Sequence, residues 1–294
     1  MSWCDDFRHV IRPDVPLAPL TWYRLGGAAR WLCEPRSPAE AAALLAAIRA
    51  AAAPWRVLGR GANVLVADRG FDGAVIRLAG PQFERVAFDG LCVHAAAGAD
   101  LPALIRDSIE RGLVGLEALA GIPATVGGAV RMNAGGRHGE LSAFVTRVHV
   151  LNERGETETR SAEQTGFGYR RSRLEGCVVL AVELRLAEGN RDEARRRHSA
   201  IWKEKAAAQP PLSVRSAGCV FKNPPGQRAG KLLDEAGAKG LRVGGARVSE
   251  RHANFIVVDD GARAQDVLDL VEMARQRVLK HAGVELELEL DVWS

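Results

Sequence analysis

The most informative segment for the architecture of this chain is Ala118-Leu-Ala-Gly-Ile-Pro-Ala-Thr-Val-Gly-Gly-Ala-Val-Arg-Met-Asn-Ala-Gly-Gly136. Glycine and alanine crowd around Thr125 and Asn133, and the segment carries almost no charge. Small side chains leave room for a flat ligand and for hydrogen bonds between the backbone and the polar edge of that ligand. A tightly packed buried loop has the same composition, so the segment alone leaves both interpretations open.

A second glycine turn lies upstream, in Gly59-Arg-Gly-Ala-Asn-Val-Leu-Val66. Successive backbone N–H groups of such a turn can hold a diphosphate, although an ordinary turn between strands also needs glycine. The motif is not a P-loop, because Gly-Lys-Ser/Thr is missing, and it is not a Rossmann fingerprint, because a strand pattern follows it. Two such segments in adjacent blocks favour one large nucleotide cofactor.

Composition and charge restrict the class of protein. The 294 residues are 47% hydrophobic and 26% charged, which fits two or three globular domains. A net charge of +4 is mild for a nucleic-acid binder, and no apolar run approaches the length of a membrane span. Five scattered cysteines without a C-x-x-C motif argue against disulfides and a metal site, and favour a reducing, cytoplasmic compartment.

Hydrophobic periodicity and turn residues predict alternating strands and helices. A capping box at Ser37-Pro-Ala-Glu40 predicts the first helix, and period-two alternation near the C-terminus predicts a long last strand. Three domains are expected: 1–79, 80–189 and 190–294, with a linker near 209–213. The predicted helices are 37–54, 100–112, 190–209, one from about 230, and 264–281. The predicted strands are 56–58, 64–66, 74–78, 85–88, 91–97, a hairpin within 145–160, 177–186, 254–258 and 284–292.

A thiol lies in a segment of unusual composition, Ser216-Ala-Gly-Cys-Val-Phe-Lys-Asn-Pro-Pro225. Small residues precede Cys219, and Lys222 and Asn223 follow it closely. Such a run lets the backbone approach a ligand and places one proton-bearing side chain beside it. The segment therefore indicates a site, although a buried, inert cysteine is the alternative on these residues alone.

Eight motifs, in order along nearly the whole chain, closely resemble UDP-N-acetylenolpyruvoylglucosamine reductases, the flavin enzymes that complete UDP-N-acetylmuramic acid in peptidoglycan synthesis. The two glycine segments and the thiol segment are among them. The motifs are Thr21-Trp-Tyr-Arg-Leu-Gly-Gly27, Gly59-Arg-Gly-Ala-Asn-Val-Leu-Val66, Gly121-Ile-Pro-Ala-Thr-Val-Gly-Gly128, Asn133-Ala-Gly135, Gly168-Tyr-Arg-Arg-Ser172, Ser216-Ala-Gly-Cys-Val-Phe-Lys-Asn-Pro224, Ala229-Gly-Lys-Leu-Leu233 and Val248-Ser-Glu-Arg-His-Ala-Asn254.

The resemblance implies an α+β fold in which two subdomains of the vanillyl-alcohol-oxidase (PCMH-type) fold hold FAD, followed by a C-terminal α+β substrate-binding domain. It also implies that NADPH reduces the flavin, that hydride passes from flavin N5 to C3 of UDP-N-acetylglucosamine enolpyruvate, and that a protein acid protonates C2. The first glycine turn has no His or Cys for a covalent flavin link, so a dissociable FAD is expected. The implied cofactor-binding residues are Tyr23, Arg24, Gly59, Arg60, Gly61, Ala62, Asn63, Val64, Leu65, Gly121, Ile122, Pro123, Thr125, Gly127, Gly128, Asn133, Ala134 and Gly135.

Three catalytic residues follow from the same resemblance. Cys219 occupies the position of the proton donor, where the family more often has serine. A free thiol has a pKa of about 8.5 and is largely protonated at neutral pH. Arg170 matches an arginine near the substrate carboxylate, where a fixed guanidinium stabilises an enolate more than the ground state. Glu289 matches the C-terminal glutamate that acts with this arginine.

The register of the last strand leaves one alternative. The family usually has proline before its glutamate and arginine two positions after it, whereas this chain has Leu288 and Asp291 there. Glu287 therefore remains a second candidate. Candidates for the sugar nucleotide are Lys222, Asn223, Lys231 and His252.

One departure from the family pattern refines the expectation. Only 48 residues separate Arg170 from Cys219, and none is tyrosine; this predicts the shorter branch of the family, which lacks a tyrosine-bearing lid loop. The basic helix 191–205 is expected to present its charged residues to solvent.

A monomer without nucleic-acid or membrane partners is expected. The alternatives are an FAD-dependent sugar or alcohol oxidase of the same fold and a catalytically inactive nucleotide-binding paralogue.

Overall fold

The computed structural model describes residues 3–294, which form seven α-helices and eighteen strands, many of them short. The helices are α1 Pro38–Ala50, α2 Leu101–Glu110, α3 Val126–Arg131, α4 Ala162–Thr165, α5 Arg191–Ala208, α6 Ala229–Glu235 and α7 Ala264–Ala282. The strands are β1 Ile11–Pro16, β2 Ala28–Cys33, β3 Trp55–Val57, β4 Val64–Val66, β5 Phe71–Ile76, β6 Val86–Asp89, β7 Cys92–Ala96, β8 Leu113–Val114, β9 Gly135–Gly136, β10 Gly139–Glu140, β11 Val145–Leu151, β12 Thr157–Ser161, β13 Val178–Arg185, β14 Ala187–Glu188, β15 Arg242–Val243, β16 Ala246–Val248, β17 Ile256–Val258 and β18 Asp291–Trp293.

The chain divides into two compact units, each built from separated parts of the sequence. The first unit contains the chain up to Pro13, together with Trp31–Arg60 and Gly73–Glu204. The second contains Asp14–Arg30, Gly61–Asp72 and Lys205–Ser294. The expected three-domain division stays a prediction.

The first unit is organised around a five-stranded antiparallel sheet of order β12-β11-β13-β7-β6. Side chains cap two helices of this unit: Ser37 accepts a hydrogen bond from Glu40 N (3.1 Å), and Asp100 accepts one from Ala103 N (2.8 Å). Such caps satisfy backbone N–H groups that have no partner within the helix. The predicted hairpin is confirmed as β11 and β12, which turn at Gly155 with φ +80°. The remaining larger sheet, of order β1-β2-β5-β3, includes the parallel pair β3 and β5.

The second unit has a three-stranded antiparallel sheet, β15-β16-β17, against which α7 packs. The carboxylate of Asp68 accepts hydrogen bonds from Ala264 N (2.8 Å) and Gln265 N (3.1 Å) and so caps α7. Strand β18 pairs parallel with β4, residue for residue from Asp291 opposite Val64. The predicted apolar stripe of α7 is buried, as expected from its helical spacing; its members are Val267, Leu270, Val271, Ala274 and Val278.

The long C-terminal strand predicted at 284–292 is wrong in extent, because regular strand structure covers only Asp291–Trp293. The alternation of burial persists before it: Leu286 and Leu290 are buried, whereas Glu285 and Glu287 are exposed. Residues 287–290 form isolated hydrogen bonds with residues 220–222 instead of a continuous ladder. No helix within residues 3–294 is both long and apolar enough to cross a membrane.

Candidate active site

Within the first unit, glycine allows two predicted cofactor-binding segments to approach closely. A Cβ atom at Gly59 would lie 2.6 Å from Thr125 Oγ1, and one at Gly127 would lie 2.8 Å from the Cβ of Ala97. Both distances are too short for an ordinary side chain, so glycine is required at both positions. The space that a Cβ atom would fill at these glycines is taken by Thr125 and Ala97, so both glycines serve close packing within the first unit.

The same two segments are joined through Asp100. Its carboxylate pairs with Arg60 and also caps α2. Its backbone forms a bridge with Thr125, supported by hydrogen bonds from Leu101 N to Ala124 O (3.0 Å) and from Val126 N to Ala99 O (2.9 Å). The sequence predicted Asp100 only as the start of a helix and missed this connection.

Asn133 lies beside the turn that carries Arg170. Its side chain is buried; Nδ2 donates to Glu140 Oε2 (2.9 Å) and to Gly168 O (3.1 Å), and Oδ1 accepts from Ser142 N (3.0 Å). The side-chain amide thus bonds to the protein itself and ties the second glycine segment to the turn that carries Arg170. Two hydrogen bonds between Gly168 and the residue three positions later close the turn (3.0 and 3.2 Å).

Arg170 has an uncommon backbone conformation within that turn. Its φ is +54°, in the left-handed region that non-glycine residues seldom occupy. The Cζ atom of the half-buried side chain lies 5.1 Å from the centroid of the Tyr169 ring. The closed turn holds the backbone in this strained conformation and thereby fixes the point from which the Arg170 side chain extends.

In the second unit, three predicted site residues from distant parts of the sequence meet. Glu289 N donates to the carbonyl oxygen of Val220 (2.8 Å), the residue that follows Cys219. Asn63 Nδ2 donates to Glu289 O (2.8 Å), and Asp291 N donates to Asn63 O (2.9 Å). Asn63, Cys219 and Glu289 are all half-buried. A thiol and a carboxyl group therefore lie on adjacent segments with Asn63 beside them.

Glu287 has different surroundings. Lys222 N donates to Glu287 O (2.8 Å), and the Lys222 ammonium group pairs with the Glu287 carboxylate at 2.5 Å. The Glu287 side chain is 74% exposed and the Lys222 side chain 22% exposed. Glu287 thus faces solvent and offsets the charge of a predicted substrate-binding lysine, whereas Glu289 is half-buried beside Asn63.

The other substrate candidates lie around α6. Asn223 Oδ1 accepts from Ala229 N (2.9 Å) at the start of this helix. Lys231 is exposed, with its ammonium group 3.5 Å from Glu235. A Cβ atom at Gly230 would lie 3.0 Å from His252 Cε1, so the imidazole packs on the α6 backbone. Asn254 N donates to His252 Nδ1 (3.2 Å), which requires the neutral ring to carry its proton on Nε2.

His252 is expected to titrate below the ordinary histidine range. Burial lowers its pKa, and the nearby ammonium group of Lys239 lowers it further. The unfolded chain then binds more protons between the folded pKa and about 6.5, so the free energy of unfolding falls as the pH drops through this interval and is unaffected above it. NMR titration of the ring, assigned with His252→Gln, checks this; a midpoint at or above about 6.5 would contradict it.

The remaining predicted cofactor residues differ in exposure. The side chains of Tyr23 and Leu65 lie in the core of the second unit, so any contact with a cofactor there would come from their backbone. Burial raises the pKa of the Tyr23 phenol well above its usual range. Arg24 is exposed with φ +54°, and Trp22 N donates to Gly61 O (3.0 Å). Among all eighteen predicted cofactor-binding residues, the exposed ones are Arg24, Arg60, Gly121 and Gly128. The half-buried ones are Gly59, Ala62, Asn63, Val64, Ile122, Pro123, Thr125, Gly127 and Gly135. The buried ones are Tyr23, Gly61, Leu65, Asn133 and Ala134.

Sequence reasoning assigned no role to Asn254, although this residue ends one of the eight motifs. It is 3% exposed, and its side chain forms two hydrogen bonds with Phe221 in the thiol segment. The signal in the sequence that could have identified Asn254 was an amide residue at the end of a motif, directly before a buried strand.

Among residues 3–294, no group of three or more His, Cys, Asp and Glu side chains has a metal-binding arrangement.

Known proteins have sequences and folds similar to those of this chain. Residues 29–161 match the FAD binding domain family, and residues 209–293 match the C-terminal domain of UDP-N-acetylenolpyruvoylglucosamine reductase. The crystal structure of UDP-N-acetylenolpyruvylglucosamine reductase from Thermus caldophilus has 43% identity and a TM-score of 0.84, covering 97% of this chain and 100% of that one. The reductase of Heliobacterium modesticaldum is 42% identical over 98% of this chain and 92% of its own length. Cholesterol oxidase from B. sterolicum shares only the fold, with 17% identity and a TM-score of 0.50 over 62% of this chain and 38% of that chain.

These matches define the class first: the chain is an FAD-dependent oxidoreductase with a C-terminal domain attached to its FAD-binding domain. The predicted α+β fold class is confirmed. Identity of 42% along nearly the full length is more specific, and the chain belongs to the UDP-N-acetylenolpyruvoylglucosamine reductase family.

Proposed function

We propose that this chain reduces UDP-N-acetylglucosamine enolpyruvate to UDP-N-acetylmuramate with NADPH, as a step of peptidoglycan synthesis in the cytoplasm. The observation that carries the proposal is the full-length identity with named reductases. The adjacency of the Cys219 and Glu289 segments in the second unit supports it. The reaction adds a hydride at C3 and a proton at C2 and oxidises NADPH to NADP⁺.

The glycine segments suit a non-covalently bound FAD. Gly121 and Gly128 of the second segment are exposed and carry no side chain, so a flat ligand can approach the backbone there. No His or Cys occurs from Gly59 to Asn63 to form a covalent link. When bound, FAD supplies the hydride relay between NADPH and the substrate. Arg60, fixed by Asp100, provides a cation for a phosphate.

Each catalytic residue has a distinct proposed role. The Cys219 thiol gives its proton to C2 and regains one from solvent, so its charge is restored after each turnover. The Arg170 guanidinium stabilises the enolate charge on the substrate carboxylate. Glu289 acts with it as a protonated acid that donates a hydrogen bond, because an ionised carboxylate would repel the enolate.

The sugar nucleotide is assigned to the α6 region. Lys222 and Lys231 supply positive charge, and Asn223 supplies an amide that is already fixed at the start of the helix. His252, neutral above its lowered pKa, contributes a hydrogen bond instead of a charge. We propose that the protein functions as a monomer.

The test follows NADPH absorbance in the purified protein with and without UDP-N-acetylglucosamine enolpyruvate. Oxidation that requires this ether is the expected result. A yellow, FAD-loaded protein that ignores the ether but oxidises other sugars or alcohols would replace the proposal with an oxidase of the same fold. A protein that takes up no added FAD and oxidises no NADPH would indicate an inactive paralogue.

A further inference from the structure

Both polar atoms of the Asn254 side chain form hydrogen bonds with one residue, Phe221. Oδ1 accepts a hydrogen bond from Phe221 N (2.9 Å), and Nδ2 donates one to Phe221 O (2.8 Å). The backbone oxygen of Asn254 also accepts from Val220 N (2.9 Å). The side-chain amide therefore takes the place of a peptide group facing Phe221, in the way that residues of antiparallel strands exchange two hydrogen bonds.

The other edge of the same segment is held by the chain near Glu289. Val220 O accepts from Glu289 N (2.8 Å), and Lys222 N donates to Glu287 O (2.8 Å). Residues 220–222 are consequently fixed from both sides, by Asn254 on one and by residues 287–289 on the other. Because Cys219 directly precedes these residues, the two sets of hydrogen bonds fix the position of its Cα atom, from which the thiol side chain extends.

We propose that Asn254 is a positioning residue for the proton transfer: its amide sets the Cys219 thiol relative to the reacting carbon by clamping Phe221. This inference rests on the proposed function. Asn254 is 3% exposed, so burial keeps its side-chain amide from contact with a ligand. Its effect on the chemistry is therefore exerted through the backbone of the thiol segment.

Asn254→Asp is the sharpest variant because it preserves shape. The carboxylate still accepts from Phe221 N, but its second oxygen now faces Phe221 O, and two acceptors repel each other. The expected response is a shift of the thiol segment, and a misplacement of about 1 Å costs roughly 100-fold in rate. We therefore expect kcat to fall about 100-fold, with KM for the ether and FAD content unchanged.

Two further readouts separate positioning from simple stabilisation. The first is the rate at which iodoacetamide alkylates Cys219, followed by mass spectrometry of its peptide well below the melting temperature; we expect it to change several-fold in Asn254→Asp. The second is a double-mutant cycle. In a Cys219→Ala background, Asn254→Asp should lower the residual rate no further, because the group that it positions is already absent.

The matched control is Asn152→Ala in the first unit, where Asn152 Oδ1 likewise accepts two backbone hydrogen bonds, from Arg154 N (2.9 Å) and Glu156 N (3.0 Å). It should leave kcat and the alkylation of Cys219 unchanged. If Asn254→Asp does not fold, Asn254→Ser, which keeps one hydroxyl near Phe221, takes its place.

Two outcomes would overturn the proposal. One is a variant with a lower melting temperature but unchanged kcat and unchanged alkylation of Cys219. The other is that Asn254→Asp lowers kcat by the same factor in the Cys219→Ala background as in the unsubstituted protein. If the unsubstituted protein fails to reduce the ether, the proposed function fails, whereas the alkylation comparison still reports whether Asn254 positions the thiol.

Discussion

Cys219→Ala is expected to lower turnover of the enolpyruvyl ether about 10³-fold, the range of a lost general acid. This corresponds to about 4 kcal/mol in the activation free energy. The thiol is the proposed source of the C2 proton, and the segment that carries it is hydrogen-bonded to the Glu289 segment and to Asn254. Reduction of the bound flavin by NADPH should proceed at its normal rate, because that half-reaction needs no proton from Cys219.

The matched control is Cys219→Ser, which keeps a proton-bearing group at the same position. It should retain turnover within about tenfold, because a hydroxyl is a weaker acid than a thiol but can donate a proton to the developing carbanion. Stopped-flow absorbance of the flavin separates the two half-reactions. Normal turnover in the alanine variant would remove Cys219 from the mechanism.

Glu289→Ala is expected to lower kcat about 100-fold, the cost of removing one hydrogen-bond donor from developing negative charge. The Glu289 backbone is held by Val220 and Asn63 (2.8 Å each), so truncation of the side chain leaves the segment in place. The loss should therefore appear in kcat at saturating ether, with FAD content and melting temperature close to those of the unsubstituted protein.

Glu287→Ala is the control for this prediction, two residues away on the same segment. Its 74% exposed carboxylate pairs with Lys222, and exposed ion pairs contribute about 0–1 kcal/mol to stability. We expect kcat to be unchanged. If the two variants exchange behaviour, so that Glu287→Ala loses the rate and Glu289→Ala keeps it, the assignment of the catalytic carboxylate moves to Glu287.

Local patterns in the sequence predicted the regular elements well. The capping box at Ser37, the aspartate before α2 and the apolar stripe of α7 each depend on residues within one or two helical turns, so their consequences can be derived from spacing alone. The C-terminal strand shows the limit of this approach. Period two correctly gave the burial of Leu286 and Leu290, but not the irregular pairing that shortens the strand.

The sequence proposed residues for the candidate site but not the contacts that hold them in place. Cys219, Arg170 and Glu289 came from the resemblance to a family, and their roles stay proposals. The side-chain bonds of Asn133 to Gly168 and of Asn254 to Phe221 span 35 and 33 residues, and no local pattern encodes a contact over such a separation. Period two places Glu287 and Glu289 on the same face, so the difference between the exposed Glu287 and the half-buried Glu289 likewise depends on tertiary structure.

The parallel pairing of β18 with β4 has a consequence for biosynthesis. Asn63 and Glu289 are 226 positions apart, and their contact requires residues 291–293 to lie beside Val64. On the ribosome, Asp14–Arg30 and Gly61–Asp72 therefore wait for residues made more than 130 positions later before the second unit can close. Until residues 287–293 have been made, strand β4 lacks its partner β18 and the thiol segment lacks its hydrogen bonds to Glu287 and Glu289, so the proposed site can form only after these residues leave the ribosome.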